Sequence, residues 1–177
     1  MARRRSGTPD VVDLILEQWA HNDPELDPSA MAVFGRLHRS FLRYQAQLAP
    51  VFAEHGISMS AFDVLAALRR SGEPYRQTMG DLAGITLVSN GGVSQRVDRL
   101  ERAGLVLRER DAEDARIVHV SLTDAGLELI DKVTRAHFAN EKRMLAGLGE
   151  TDQRRLAKLL SRLERSLDDA EARADPA

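Results

Sequence analysis

Arg96-Val97-Asp98-Arg99-Leu100-Glu101-Arg102-Ala103-Gly104-Leu105-Val106 is the stretch that decides the fold. With Val93 ahead of them, Val97 and Leu100 recur at helical spacing, and charged residues fill the positions between. Gly104 is a helix-ending residue, and Leu105-Val106-Leu107-Arg108-Glu109-Arg110 then reads as a strand. The polar run Asp111-Ala112-Glu113-Asp114 is a turn, and the β-branched, partly alternating Arg116-Ile117-Val118-His119-Val120-Ser121-Leu122 is a second strand. A helix followed directly by a hairpin is the second half of a winged helix-turn-helix.

The same punctuation continues in both directions. Upstream, Ser58 or Ser60 caps a helix with Ala61, Val64, Leu65 and Leu68, which stops at Ser71-Gly72-Glu73-Pro74. Thr78-Met79-Gly80-Asp81 has capping spacing and opens a short helix through Leu82 and Ala83. Ser89-Asn90 reads as the cap of the Val93–Leu100 helix, whose Gly91-Gly92 costs roughly 1 kcal/mol per glycine against alanine. Downstream, Thr123-Asp124 caps a long helix with Leu127, Ile130, Val133 and Phe138 inward. Thr151-Asp152 caps a last one with Leu156, Leu160, Leu163 and Leu167 spaced like a coiled-coil seam. Toward the N-terminus, Thr8 before Pro9 reads as the cap of a helix with Val12, Leu14, Ile15 and Trp19, and Asp27-Pro28 starts a long helix with Met31, Phe34, Leu37, Phe41, Leu48 and Phe52.

The fold expected is therefore mainly α with a small β-hairpin wing: a winged helix-turn-helix flanked by dimerisation helices. Residues 1–8 form a disordered basic arm and 9–27 an extra N-terminal helix and linker. Residues 28–54 and 123–172 form the dimerisation helices, 55–122 the DNA-binding domain and 173–177 a tail. The flanking helices carry more apolar stripe than the small centre covers, which points to a homodimer.

Composition narrows the classes of function. The 177 residues are 43% hydrophobic and 29% charged, with a formal net charge of −2, so a nucleic-acid role must rest on local basic faces. There is no cysteine, which excludes disulfides, thiolate metal sites and thiol redox sensing. No apolar run approaches the roughly 20 residues of a membrane span. The start, Met1-Ala2-Arg3-Arg4-Arg5 followed by Asp10-Val11-Val12-Asp13, lacks a hydrophobic signal segment, so the expected place is the cytoplasm, on DNA. The five histidines show no i, i+4 pair for a metal, and no phosphate loop or nucleophile elbow is present. Neither a cofactor nor catalysis is expected.

Arg96 to Val106, together with Asp111 to Arg116 and Leu122-Thr123-Asp124-Ala125-Gly126, resembles the MarR family of transcriptional regulators over roughly residues 30–168. The resemblance implies a dimer on a pseudo-palindromic operator and a wing whose Arg116 enters the minor groove. Ala115 departs from the family, where a second arginine is common. Arg96, Arg99 and Arg102 form a three-residue stripe along the reading helix, and Ser89, Asn90, Ser94 and Gln95 sit at its N-terminal end, where side chains meet base edges and amides meet phosphate. The competing reading is that Ser89 and Asn90 only cap and that Asp98 and Arg99 make local ion pairs.

An extra N-terminal helix bearing a tryptophan, with Phe62-Asp63-Val64-Leu65-Ala66-Ala67-Leu68-Arg69-Arg70, is similar to the urate-responsive branch of that family. This implies a ligand pocket of Trp19, Asp63, Arg96 and Arg108 for a small anionic ligand, urate or another purine. A flat anion would stack on Trp19 and take charged hydrogen bonds from Arg96, while repelling Asp63. Plainer readings stand beside these: Trp19 as a core anchor, Asp63 as a solvated residue and Arg108 as a surface charge of the wing. Two other functions remain open, a MarR-type regulator answering a phenolic or other small organic acid, and a winged helix serving as a protein-interaction module.

Overall fold

The computed structural model describes residues 8–86 and 92–174, and the chain divides into two compact units, Met1–Ser60 and Ala61–Ala177. Among the described residues there are seven helices and a three-stranded antiparallel sheet, which matches the expected winged-helix architecture.

In the first unit, α1 (Val11–Asn22) is capped by Asp10 rather than Thr8. The Asp10 carboxylate accepts the amides of Val12 and Asp13, and the Asp13 carboxylate accepts the Asp10 amide, a complete capping box. Both carboxylates also hold Arg36 of α2 (Met31–Glu54), at 2.9 Å each. Val12 is buried against Gly35, where an added Cβ would lie 3.3 Å from both valine methyls. The helix begins three residues beyond Pro28 and runs on through Pro50 to Glu54.

The second unit is built on α3 (Met59–Arg70), which enters it from the first. Val64, Leu65, Ala67 and Leu68 on this helix have no exposed surface. They pack with Leu82 of α4 (Met79–Ile85), Val97 and Leu100 of α5 (Val93–Arg102), Val106 of β2 (Val106–Arg110), Val120 of β3 (Val118–Leu122) and Ile130 of α6 (Asp124–Met144). Each fully buried Leu or Val contributes roughly 1.5–3 kcal/mol. The inward face expected of α5 is therefore correct. On α6 Phe138 is 60% exposed, and the neighbouring His137 is the buried residue, 4.7 Å from the Phe62 ring.

Thr78 caps α4 as its spacing predicts, accepting the Asp81 amide at 3.0 Å. The cap of α5 is Gly92; Ser89 and Asn90 lie outside the described residues, as do most of the basic arm and the last three residues of the tail. A short strand absent from the sequence reading, β1 (Arg76–Thr78), pairs with β3, giving the order β1-β3-β2. Glu150 already lies inside α7 (Glu150–Ala174), so Thr151 is helical rather than capping.

One stitch joins reading helix, wing and α6. After α5 the chain turns at Gly104, whose φ of +71° favours glycine. Thr123 donates its hydroxyl to the Gly104 carbonyl at 2.8 Å and its amide to the Leu105 carbonyl at 3.1 Å, while accepting the Gly126 amide at 3.0 Å as the cap of α6. A Cβ on Gly126 would run into the Leu105 carbonyl oxygen, so no side chain fits there. The Gly104-Leu105 and Leu122-Thr123-x-x-Gly126 motifs are two sides of this contact.

Candidate nucleic-acid interface

Helix α5 presents three faces. Val93, Val97 and Leu100 point into the core. Gln95, Arg99 and Arg102, spaced by four and three residues, are exposed together and form the outward basic stripe. Ser94, Asp98 and Glu101 form a third row. Arg96 does not join the outward stripe: it is half-buried, its guanidinium lies over Gly92, where an added Cβ would sit 3.1 Å from Nη2, and its buried Nη1 makes no hydrogen bond. The absence of a side chain at Gly92 is what leaves room for that guanidinium. Ser94 and Gln95 occupy the first turn, exposed, behind a glycine cap that offers no side-chain acceptor.

The wing is organised by two aspartates. Asp111 accepts the amides of Glu113 and Asp114 and meets His119 Nε2 at 2.8 Å. That histidine contact, and then the two amides, lower the Asp111 pKa from 3.8 to about 2. Asp114 accepts the Arg116 amide at 2.9 Å and takes its Nε and Nη2 at 3.0 and 2.9 Å, which holds the Asp114 carboxyl below its ordinary range. Arg116 is thus braced at one edge while its side chain stays 90% exposed. A guanidinium ordered in advance loses less entropy on meeting a groove or phosphate.

The four residues assigned to a ligand are divided between the two units. Trp19 is on α1 in the first unit and 45% exposed, so it is not sealed in a core. Asp63, Arg96 and Arg108 belong to the second. Asp63 is not solvated: it is 6% exposed, and its Oδ2 is buried without a hydrogen-bond partner. Arg108 is not a free surface charge, because it pairs with Asp98 of α5. Sequence reasoning missed these partners, as it missed Asp114 for Arg116. The available signal was Ser94, Asp98 and Glu101 at i, i+4, i+7, one helix row facing a strand arginine.

A family model described as the MarR family matches residues 55–117, which run from the end of α2 through the turn of the wing. The PecS transcriptional regulator of Dickeya dadantii is 37% identical over 153 residues, covering 86% of this chain and 92% of PecS. The chain belongs to the MarR family. Among solved structures, the MarR-family regulator AbsC of Streptomyces coelicolor superposes with a TM-score of 0.70 at 29% identity, covering 82% of this chain and 99% of AbsC. Bordetella bronchiseptica BpsR, a protein whose DNA binding is regulated by 6-hydroxynicotinic acid, shares the fold with a TM-score of 0.68 at 23% identity, over 75% and 92% of the two chains. As a MarR protein the chain is a DNA-binding transcriptional regulator, not an enzyme. Among its described residues no single helix is long and apolar enough to cross a membrane.

Proposed function

We propose that this MarR protein is a homodimeric repressor, released from a pseudo-palindromic operator by a small anionic aromatic ligand, with urate or a related purine as the first candidate. The observation that carries the ligand reading is that three of the four residues assigned to the pocket keep a buried polar atom without a hydrogen bond: Asp63 Oδ2 on α3, Arg96 Nη1 on α5 and Arg108 Nε on β2. A buried polar group left without a partner costs about 1–3 kcal/mol, and an anion reaching Arg96 would satisfy its side. The same anion would be repelled by the Asp63 carboxylate. Because Arg96 sits on the reading helix, occupancy and DNA placement are linked, and each must weaken the other.

DNA is met by Ser94, Gln95 and Arg99 on α5 and by Arg116 on the wing, with Ser89 and Asn90 ahead of the helix and Arg96 serving both ligand and helix. The exposed leucines of α7 are covered by a second copy, which places two reading helices about one helical turn of DNA apart, roughly 10 base pairs. Similarity to PecS supports the urate-responsive branch. The regulation of BpsR by 6-hydroxynicotinic acid favours a second reading, a smaller aromatic acid at the same arginine.

The test is a titration of the full chain with urate, xanthine and a phenolic acid, following operator binding and tryptophan fluorescence together. Trp19 is the only tryptophan, so its signal reports one defined side chain. Urate is expected to release DNA and quench Trp19, and Asp63→Ser to bind urate yet release DNA poorly. Release by the phenolic acid with purines inert would replace the urate reading while leaving the DNA-binding one intact.

A further inference from the structure

Arg108 lies on β2 two residues beyond Val106, so both side chains stand on one face of the strand. Val106 is fully buried in the core with Val97 and Leu100 of α5. Arg108 continues that contact outward in charged form. Its Nη2 donates to the Asp98 carboxylate and, at 3.4 Å, to the Ser94 carbonyl, while Nε lies 3.5 Å from Glu101 Oε2. Ser94, Asp98 and Glu101 form the row of α5 that meets β2, apart from the exposed Gln95/Arg99/Arg102 side.

Two carboxylates on a DNA-reading helix are electrostatically unfavourable, since phosphates lie within a screening length of about 8–10 Å. Here both are directed at a wing arginine that is largely shielded from solvent. We propose that Arg108, Asp98 and Glu101 form an ionic strut that fixes the wing against the reading helix, so that α5 and Arg116 engage their two grooves at once. Arg108 is on this view a positioning residue for DNA recognition. The inference rests on the DNA-binding function of the domain but not on the identity of any ligand.

The strut makes an opposite prediction in sign from simple electrostatics. If Asp98 and Glu101 are only surface charges, neutralising them tightens DNA binding by removing repulsion. If they hold the wing, neutralising them weakens it. The full-length chain is used first to select a duplex from random sequence, and affinity and hydroxyl-radical footprints on that duplex are then measured for wild type, Asp98→Asn/Glu101→Gln, Arg108→Gln and Arg108→Glu with and without Asp98→Arg. Glu113→Gln, an exposed acid of the wing turn, serves as the charge control. Asp98→Asn/Glu101→Gln is expected to bind about tenfold more weakly, within the range of coupled charged neighbours. It should lose protection at the outer flanks touched by the wing while keeping the central protection from α5. Glu113→Gln should bind as tightly as wild type or tighter, and Asp98→Arg should recover most of the affinity lost in Arg108→Glu. A urea midpoint for each variant separates loss of fold from loss of placement. Tighter or unchanged binding by the double neutralisation, or a uniform loss of footprint, overturns the strut; failure of wild type to select any duplex overturns the DNA-binding reading itself.

Discussion

The α3–β3 core and helix α7 lie in the same unit and use leucine in opposite ways. Leu65, Leu68 and Leu82 are completely covered by their own chain, whereas Leu156, Leu159, Leu160 and Leu167 of α7 stand 42–50% exposed and α7 buries no residue at all. The core closes on itself, and its stability is intramolecular. The α7 seam is a stripe without an opposing surface, and so are Phe34, Phe41 and Leu42 on α2. A monomer rarely exposes apolar groups in such continuous rows, and the second copy proposed above would supply the missing surface. On the proposed dimer, the contrast means that folding and DNA binding draw on different parts of the chain: the winged core closes on itself, and operator recognition would need the pair.

The strongest way to break the comparison is to charge the seam. Leu160→Glu with Leu163→Glu is expected to give monomers and to reduce operator affinity at least about a hundredfold, since half of the reading helices are lost from each complex. Circular dichroism should show the helical content largely retained, because no core residue is touched.

Next in size is an attack on the stitch between the core and α6. Gly126→Ala places a methyl on the Leu105 carbonyl, and backbone on both sides has no room to give. Urea unfolding should register a loss of about 3 kcal/mol, the upper end of ordinary overpacking. A Gly126→Ala midpoint equal to wild type would mean that α6 is free to shift against the turn at Leu105.

Smaller again is the wing. Arg116→Ala is expected to cost about 1–3 kcal/mol of DNA binding and to flatten the salt dependence, with dimerisation unchanged. The Asp111–His119 pair gives the finest test. Its carboxyl titrates near 2, below the ordinary 3.8, so the pair supports the wing turn above about pH 4, and that support fades as pH falls toward 2. His119→Ala removes the largest cause of the shift, and carbon NMR of the Asp111 carboxyl should show its titration moving up toward 3.8.

Much of this architecture was legible in the residues, for reasons that differ from place to place. Thr78 and Thr123 are caps because a hydroxyl three residues before a free amide has one obvious use. The inward face of α5 follows from strict helical spacing. At the first helix both Thr8 and Asp10 have the right chemistry, and the partners decide for Asp10: Asp13, three residues on, closes the capping box, and Arg36 lies 26 residues away. The three residues of β1 are too few for alternation to show, and only pairing with β3 makes them a strand. For the candidate site, the residue types were readable but their orientations were not. Arg96 reads as a member of an exposed stripe, yet the missing side chain at Gly92 lets it fold inward. Asp63 reads as solvated because it lies off the apolar stripe, although α3 is buried continuously from Asp63 to Leu68. Arg108 reads as a lone charge until its carboxylate row on α5 is seen across from it.

The central claim is that two copies of this chain read one operator. Sedimentation of a fluorescently labelled, selected duplex with increasing full-length protein at micromolar concentration tests it directly. The expected result is a free protein that sediments as a dimer and a complex with two chains per duplex, formed without a one-chain intermediate. A free protein that remains a monomer, with a stable complex of one chain per duplex, would contradict it.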